Sequence, residues 1–168
     1  DDNNHIHIQQ IQPSKYLRIQ LLQILGNEKT FAQNARNTLG INMASAEKVL
    51  KDIMPLPFVA EFSEVTGNQS ITSLEGFSVL EAVYQATGAI RLASGSASGL
   101  LSTSGLNLSK NFRVIVTACG WDSDEVAMTV SAGEQKKDID LVTYGSNQKP
   151  GTWVDYVMNF EPVGSAAS

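Results

Sequence analysis

The stretch Phe112-Arg113-Val114-Ile115-Val116-Thr117-Ala118-Cys119-Gly120 decides the fold. Phe112, Val114, Val116 and Ala118 alternate with Arg113, Thr117 and Cys119, the two-residue period of a strand with one face in a core. Val126, Met128 and Val130 then alternate with Ala127, Thr129 and Ser131. Between them Gly120-Trp121-Asp122-Ser123-Asp124-Glu125 is polar and rich in loop formers. The pattern predicts two antiparallel strands joined by a short acidic loop, in the middle of a sandwich made by everything after about Phe58.

The same texture extends to both sides of this pair. Phe58-Val59-Ala60-Glu61-Phe62 and Ala89-Ile90-Arg91-Leu92 read as strands. Ser94 to Gly99 is a flexible turn, and Ile139 and Leu141 mark a further short strand. In Trp153 to Phe160, the residues Val154, Tyr156, Met158 and Phe160 share one face, and Trp153 lies on the opposite phase. Short strands separated by Gly, Ser and Asn turns indicate a mainly β chain, an antiparallel sandwich.

The first 57 residues look different. Leu17, Leu21, Ile24 and Leu25 follow Pro13-Ser14 at helical spacing, although Leu17, Ile19 and Leu21 also alternate. Phe31, Ala35 and Leu39 share a helical face, and a further helix runs to Ile53, before Pro55 and Pro57. The expectation is a small helical element over 14–53, with an N-terminal segment 1–57 and a sandwich domain 58–168. A helix-turn-helix is disfavoured, because its second helix offers only Lys48 and Lys51, beside Glu47 and Asp52.

Charge and hydropathy narrow the function. The net charge is −5 over 168 residues, which argues against nucleic acid as a partner. No run of 18 apolar residues exists, so no membrane-spanning helix is expected. The start Asp1-Asp2-Asn3-Asn4 has neither the basic nor the apolar region of a signal peptide, which fits a cytosolic protein or a mature exported one. One cysteine, Cys119, excludes an internal disulfide framework and reads as a buried thiol.

Several segments resemble a known family. They are Tyr84-Gln85-Ala86-Thr87-Gly88-Ala89-Ile90-Arg91-Leu92-Ala93-Ser94, Gly99-Leu100-Leu101-Ser102-Thr103 and Leu106-Asn107-Leu108-Ser109. The likeness begins near Phe62-Ser63-Glu64-Val65-Thr66 and continues through Phe112 to Trp121-Asp122, Val130 to Gly133 and Trp153 to Phe160. Together they resemble jelly-roll modules, carbohydrate-binding or cleaved-adhesin-like, of surface and secreted proteins of Bacteroidota. The resemblance implies a non-catalytic recognition or adhesion module, secreted or at the cell surface, with a glycan or protein partner. Two departures are Ser104, where the family often has Pro, and the absence of a further strand with an acidic pair after Phe160.

The expected ligand-binding residues are Trp121, Asp122, Asp124, Trp153 and Tyr156. An indole face suits the C–H face of a sugar ring, although a Trp in such a turn can equally pack over the end of a sandwich. Asp122, Asp124 and Glu125 are candidates for Ca²⁺, without calcium-loop spacing. His5 and His7 are two residues apart on one strand face, too few ligands for a closed metal site. No nucleophile elbow or phosphate loop is present. The alternatives are a structural or assembly subunit (filament, phage or surface layer) and a small glycoside hydrolase. A sandwich lacking a closing strand leaves an open edge, and His5-Ile6-His7-Ile8-Gln9-Gln10-Ile11 is the expected cover. Residues 1–12 are therefore the expected route to a homo-oligomer, by addition to a neighbour's sheet.

Overall fold

The computed structural model describes residues 5–10, 17–26, 57–121, 126–142 and 151–163. They form β1 (Ile6–Gln10), β2 (Leu17–Gly26), β3 (Phe58–Glu61), β4 (Ser78–Glu81), β5 (Val83–Ala86) and β6 (Ala89–Leu92). After these come β7 (Gly99–Thr103), β8 (Phe112–Gly120), β9 (Ala127–Ala132), β10 (Gln135–Asp140) and β11 (Val154–Phe160). One sheet, A, has the order β10-β9-β1-β7-β4. The other, B, has the order β11-β8-β2-β6-β5, and β3 also pairs with β2. Every strand pairing is antiparallel. The mainly β, sandwich-like expectation is met.

The expected helix over 14–53 is not met where the chain is described. Leu17 to Gly26 is a strand, and its Leu17, Ile19, Leu22 and Ile24 are buried. The helical spacing of Leu17, Leu21 and Leu25 has a physical origin. The register with β8 shifts between Ile19 and Leu21, leaving Gln20 as an extra residue. Such a bulge moves later side chains to the other face, so apolar residues occupy both phases. The carbonyl of Gln20 accepts the Phe62 N–H at 2.9 Å, where β2 passes from β6 to β3 as its second neighbour. Residues 14–16 and 27–53 of the expected helical element lie outside the described residues.

Residue 57 does not separate the sheets from an appendage. β1 lies between β7 and β9 in the middle of sheet A, and β2 lies between β8 and β6 in the middle of sheet B. Ile6 and Ile8 from β1 meet Leu101, Met128 and Val130 of their own sheet and Leu22, Ile90 and Val116 of the other in one core. Each such side chain contributes about 1.5–3 kcal/mol through removal from water. The segment expected to cover an edge is therefore an interior strand, with both of its edges paired inside its own chain.

The true edges are handled in other ways. β10 at the margin of sheet A carries exposed Lys136, Lys137, Asp138 and Asp140, and charge on an edge strand discourages further pairing. β11 is the margin of sheet B, and the chain after it is tied down. Gln135 Nε2 donates to the Glu161 carbonyl and its Oε1 accepts the Glu161 N–H, both at 3.0 Å. The Val163 N–H donates to the Leu108 carbonyl at 2.8 Å.

A sharp corner carries the chain between the sheets. β4 in sheet A leads directly into β5 in sheet B, and β6 returns to sheet A as β7. The two crossings touch: Ala93 N–H donates to the Ala82 carbonyl at 2.9 Å, and Ala82 N–H to Ser98 at 3.3 Å. Glu81 and Ala93, the residues at the bends, have φ of 64° and 90°, conformations costly for non-glycine residues. At Gly99 a Cβ would lie 2.5 Å from the Ala82 carbonyl oxygen and 2.7 Å from the Ala93 nitrogen. Both obstacles are backbone, so nothing can swing aside.

Two outcomes follow from this packing. Gly99→Ala should lower the denaturation midpoint by the equivalent of roughly 1–3 kcal/mol or more, while Gly95→Ala, with nothing within 4 Å, should change little. Equal effects in a chemical-denaturation comparison would refute the corner. Deleting residues 1–12 should abolish cooperative unfolding altogether, because sheet A loses its middle strand. A truncated chain that still melts in one sharp transition would show that β1 is dispensable.

Candidate functional site

The outward face of sheet B carries the least ordinary side chains. On each central strand one residue alternates with core residues: Arg18 between Leu17 and Ile19, Arg91 between Ile90 and Leu92, and Cys119 directly after Ala118. The register sets them in a line across the sheet. Tyr84 is opposite Arg91, Arg91 opposite Arg18, and Arg18 opposite Cys119. Val154, the first residue of β11, is opposite Ala118, and Trp153 directly precedes it. A transverse row Tyr84–Arg91–Arg18–Cys119 results.

Like charges directly opposite one another across a sheet are destabilising. Here each guanidinium lies against a ring. The Arg18 guanidinium carbon sits 3.6 Å from the centroid of Trp121, which directly follows β8, and that of Arg91 sits 4.5 Å from Tyr84. Such contacts contribute about 0.5–2 kcal/mol each. Burial and the neighbouring Arg91 hold the Arg18 guanidinium below its ordinary pKa, and its Nε is buried with no hydrogen-bond partner. Burial pushes the Cys119 thiol up to about 11, against smaller opposing effects of the Gly151 N–H and Arg18, so it is a neutral neighbour.

Two carboxylates of the same face are described, one row away. Asp155 accepts Thr117 Oγ1 at 2.6 Å, and Glu61 accepts Ser63 Oγ at 3.0 Å. Beyond them the row Val59–Gln23–Ile115–Val157 is partly apolar, with Val59 and Val157 more than half exposed. At the far end, Leu25, Gly26, Phe112, Arg113, Asn159 and Glu161 are among the residues lining an open groove of about 480 Å³.

The expected site residues part company. Trp121 and Trp153 are both half-buried at one end of sheet B. One face of Trp121 is already occupied by Arg18. Tyr156 is buried in the core, and its hydroxyl accepts the Val142 N–H at 2.9 Å. Asp122 and Asp124, with the proposed Ca²⁺ loop, lie outside the described residues. Among the described residues no group of three His, Cys, Asp or Glu stands close enough to hold a metal ion. His5 and His7 sit on the outer face of sheet A with ring centroids 5.7 Å apart. His7 is opposite Ser102 and Ser131, and burial, then His5, lowers its pKa.

Arg18 and Arg91 were not singled out from the sequence. A signal was there: each is a lone charge within an apolar run, Ile90-Arg91-Leu92 and Leu17-Arg18-Ile19. The class the fold defines is a two-sheet antiparallel β protein with an arginine–aromatic row on one outer face. No protein-family model, curated protein or solved structure matches the chain. No helix of the described residues is long and apolar enough to cross a membrane.

The raised Cys119 pKa has a definite sign for stability. The folded state holds the thiol proton above the ordinary value of 9.0, so the stabilisation is present below pH 9 and is lost as pH rises toward 11. Thermal midpoints should fall between those pH values more steeply for the native chain than for Cys119→Ala. Iodoacetamide at pH 8 should modify Cys119 only after denaturant is added; rapid labelling of the folded chain would contradict its burial.

Proposed function

We propose that this chain is a non-catalytic recognition module of the secreted or cell-surface type, and that sheet B's outer face is a glycan platform. The observation that carries this is the row Tyr84–Arg91–Arg18, with Trp121 over Arg18 and Trp153 directly before β11. Aromatic rings on this sheet face suit the C–H faces of sugars. Guanidiniums between them supply forked donors for hydroxyl or acid oxygens. Tyr84, Arg91 and Arg18 stand on strands, and Trp121 and Trp153 directly adjoin strand ends, which keeps a binding surface pre-formed.

The strand pairing supports the jelly-roll form of the sandwich. β5 pairs with β6, β4 with β7, β2 with β8 and β1 with β9, the nesting of one long hairpin rolled into two sheets. The resemblance of residues 58–168 to Bacteroidota jelly-roll modules points the same way. A second reading, an assembly subunit with a protein partner, is favoured by the exposed Val59 and Val157 on that face.

A glycan array probed with the full chain tests the platform. Trp153→Ala should reduce the strongest signals about tenfold or more while shifting the thermal midpoint little, as expected for a lost stacking residue. Trp121→Ala should weaken binding and also stability, because it uncovers Arg18. An array without hits, beside a concentration-dependent self-association of the chain, would transfer the proposal to the assembly reading.

A further inference from the structure

Among the described residues, every sheet margin but one carries a device against further pairing. β10 exposes Lys136, Lys137, Asp138 and Asp140. β3 and β4 are four residues long, and β4 ends on Glu81 at positive φ. β5 is covered: the Ile71 N–H donates to the Val83 carbonyl and the Gln85 N–H to the Gln69 carbonyl, both at 2.8 Å. β11 is the exception. It is seven residues long, pairs with β8 on one side only, and exposes Asp155, Val157 and Asn159 on its outer face. Its contacts with sheet A run through side chains, the Tyr156 hydroxyl and the Phe160 ring against Lys137, and make no use of its backbone edge.

We infer that this edge is an interface with a second copy of the chain, β11 against β11 in antiparallel register about a two-fold axis at Val157. That register uses all seven residues of both strands. It sets Val157 opposite Val157, Asp155 opposite Asn159, Tyr156 opposite Met158 and Val154 opposite Phe160. The outward pairs are complementary. Val157 is 53% exposed, and its twin covers it. Arg113 Nε donates to Asn159 Oδ1 at 3.2 Å, which leaves the amide N–H groups of Asn159 to donate across the axis. Thr117 Oγ1 donates to Asp155 Oδ1, and Oδ2 is left to accept them. Arg113 is opposite Asn159 within its own sheet, so its positive charge stands behind the amide and faces the incoming carboxylate. The two-fold forms this contact twice.

The partner is a second copy because the strand is its own complement, acid and amide on either side of a valine. The same axis joins the row Val59–Gln23–Ile115–Val157 to its twin, and sheet B runs on as one sheet through both chains. Residues 1–12 take no part, since β1 is an interior strand. The inference does not rest on glycan binding.

Sedimentation velocity from about 1 μM to about 1 mM should show the chain passing from monomer to dimer. Val157→Lys, which sets two ammonium groups together at the axis, should weaken dimerisation about tenfold or more. Val59→Lys, equally exposed on the same face but away from this edge, should leave it unchanged. Asn159→Asp opposes two carboxylates and should weaken it as well, and adding Asp155→Asn should restore it, a rescue specific to this register. Hydrogen exchange of the native chain needs no variant: β11 amides should gain protection with concentration and β10 amides should not. A chain that stays monomeric throughout overturns the interface. So does dimerisation that survives Val157→Lys in a folded chain, that is lost with Val59→Lys instead, or that protects amides elsewhere than in β11.

Discussion

The pairing of β2 with β8 is the interaction on which the rest depends. It runs from Leu17 beside Gly120 to Gly26 beside Phe112 and joins residues 86 to 103 positions apart. β8 brings β11 with it on one side, and β2 brings β6 and β3 on the other. β1 does the same for sheet A by holding β7 and β9 together. Both sheets are thus organised around N-terminal strands whose partners lie far along the chain. Such topologies carry a high loop-closure cost before their contacts form, and they fold slowly for their size.

One corner carries two of the chain's crossings between the sheets, β4 to β5 and β6 to β7. Chain must leave sheet A after Glu81 and return to it before Gly99, and the fold accepts two bent non-glycine residues to do so. Strain of this kind persists only where the surroundings over-determine it. Here the surroundings are backbone hydrogen bonds between the two crossings and the missing side chain of Gly99. The corner in turn sets β5 and β6 beside β2, and that places Arg91 opposite Arg18. Core topology and outer-face chemistry are in this way the same constraint seen from two sides.

The outer faces divide in character. Sheet A presents His7 among serines, with hydroxyl–carboxylate pairs such as Thr129 Oγ1 to Asp138 at 2.7 Å. Sheet B presents large rings, two guanidiniums and a partly apolar row. Large amphipathic side chains of low conformational freedom are what recognition surfaces favour. This contrast, rather than any catalytic cluster, directs attention to sheet B.

The alternation around Phe112–Gly120, Ala127–Ala132 and Val154–Phe160 was legible in the sequence, because a half-buried strand writes its two faces directly into the residue order. That established a mainly β chain, while Tyr156, expected to bind ligand, lies on the buried phase with Met158 and Phe160. β2 was misread because its bulge at Gln20 changes phase midway, and apolar residues on both faces imitate helical spacing. The central position of β1 was illegible, since Ile6-His7-Ile8 alternates in the same way at an edge as in the middle of a sheet. Of the site, the two Trp residues were visible as residue types, and the arginine row was not. Opposition of Tyr84, Arg91, Arg18 and Cys119 is a property of register, set by which strands pair and where the bulge falls. Local sequence determines which residues alternate; only the closed sheets decide which of them meet, because pairing free energy is gained between strands that the chain itself keeps far apart.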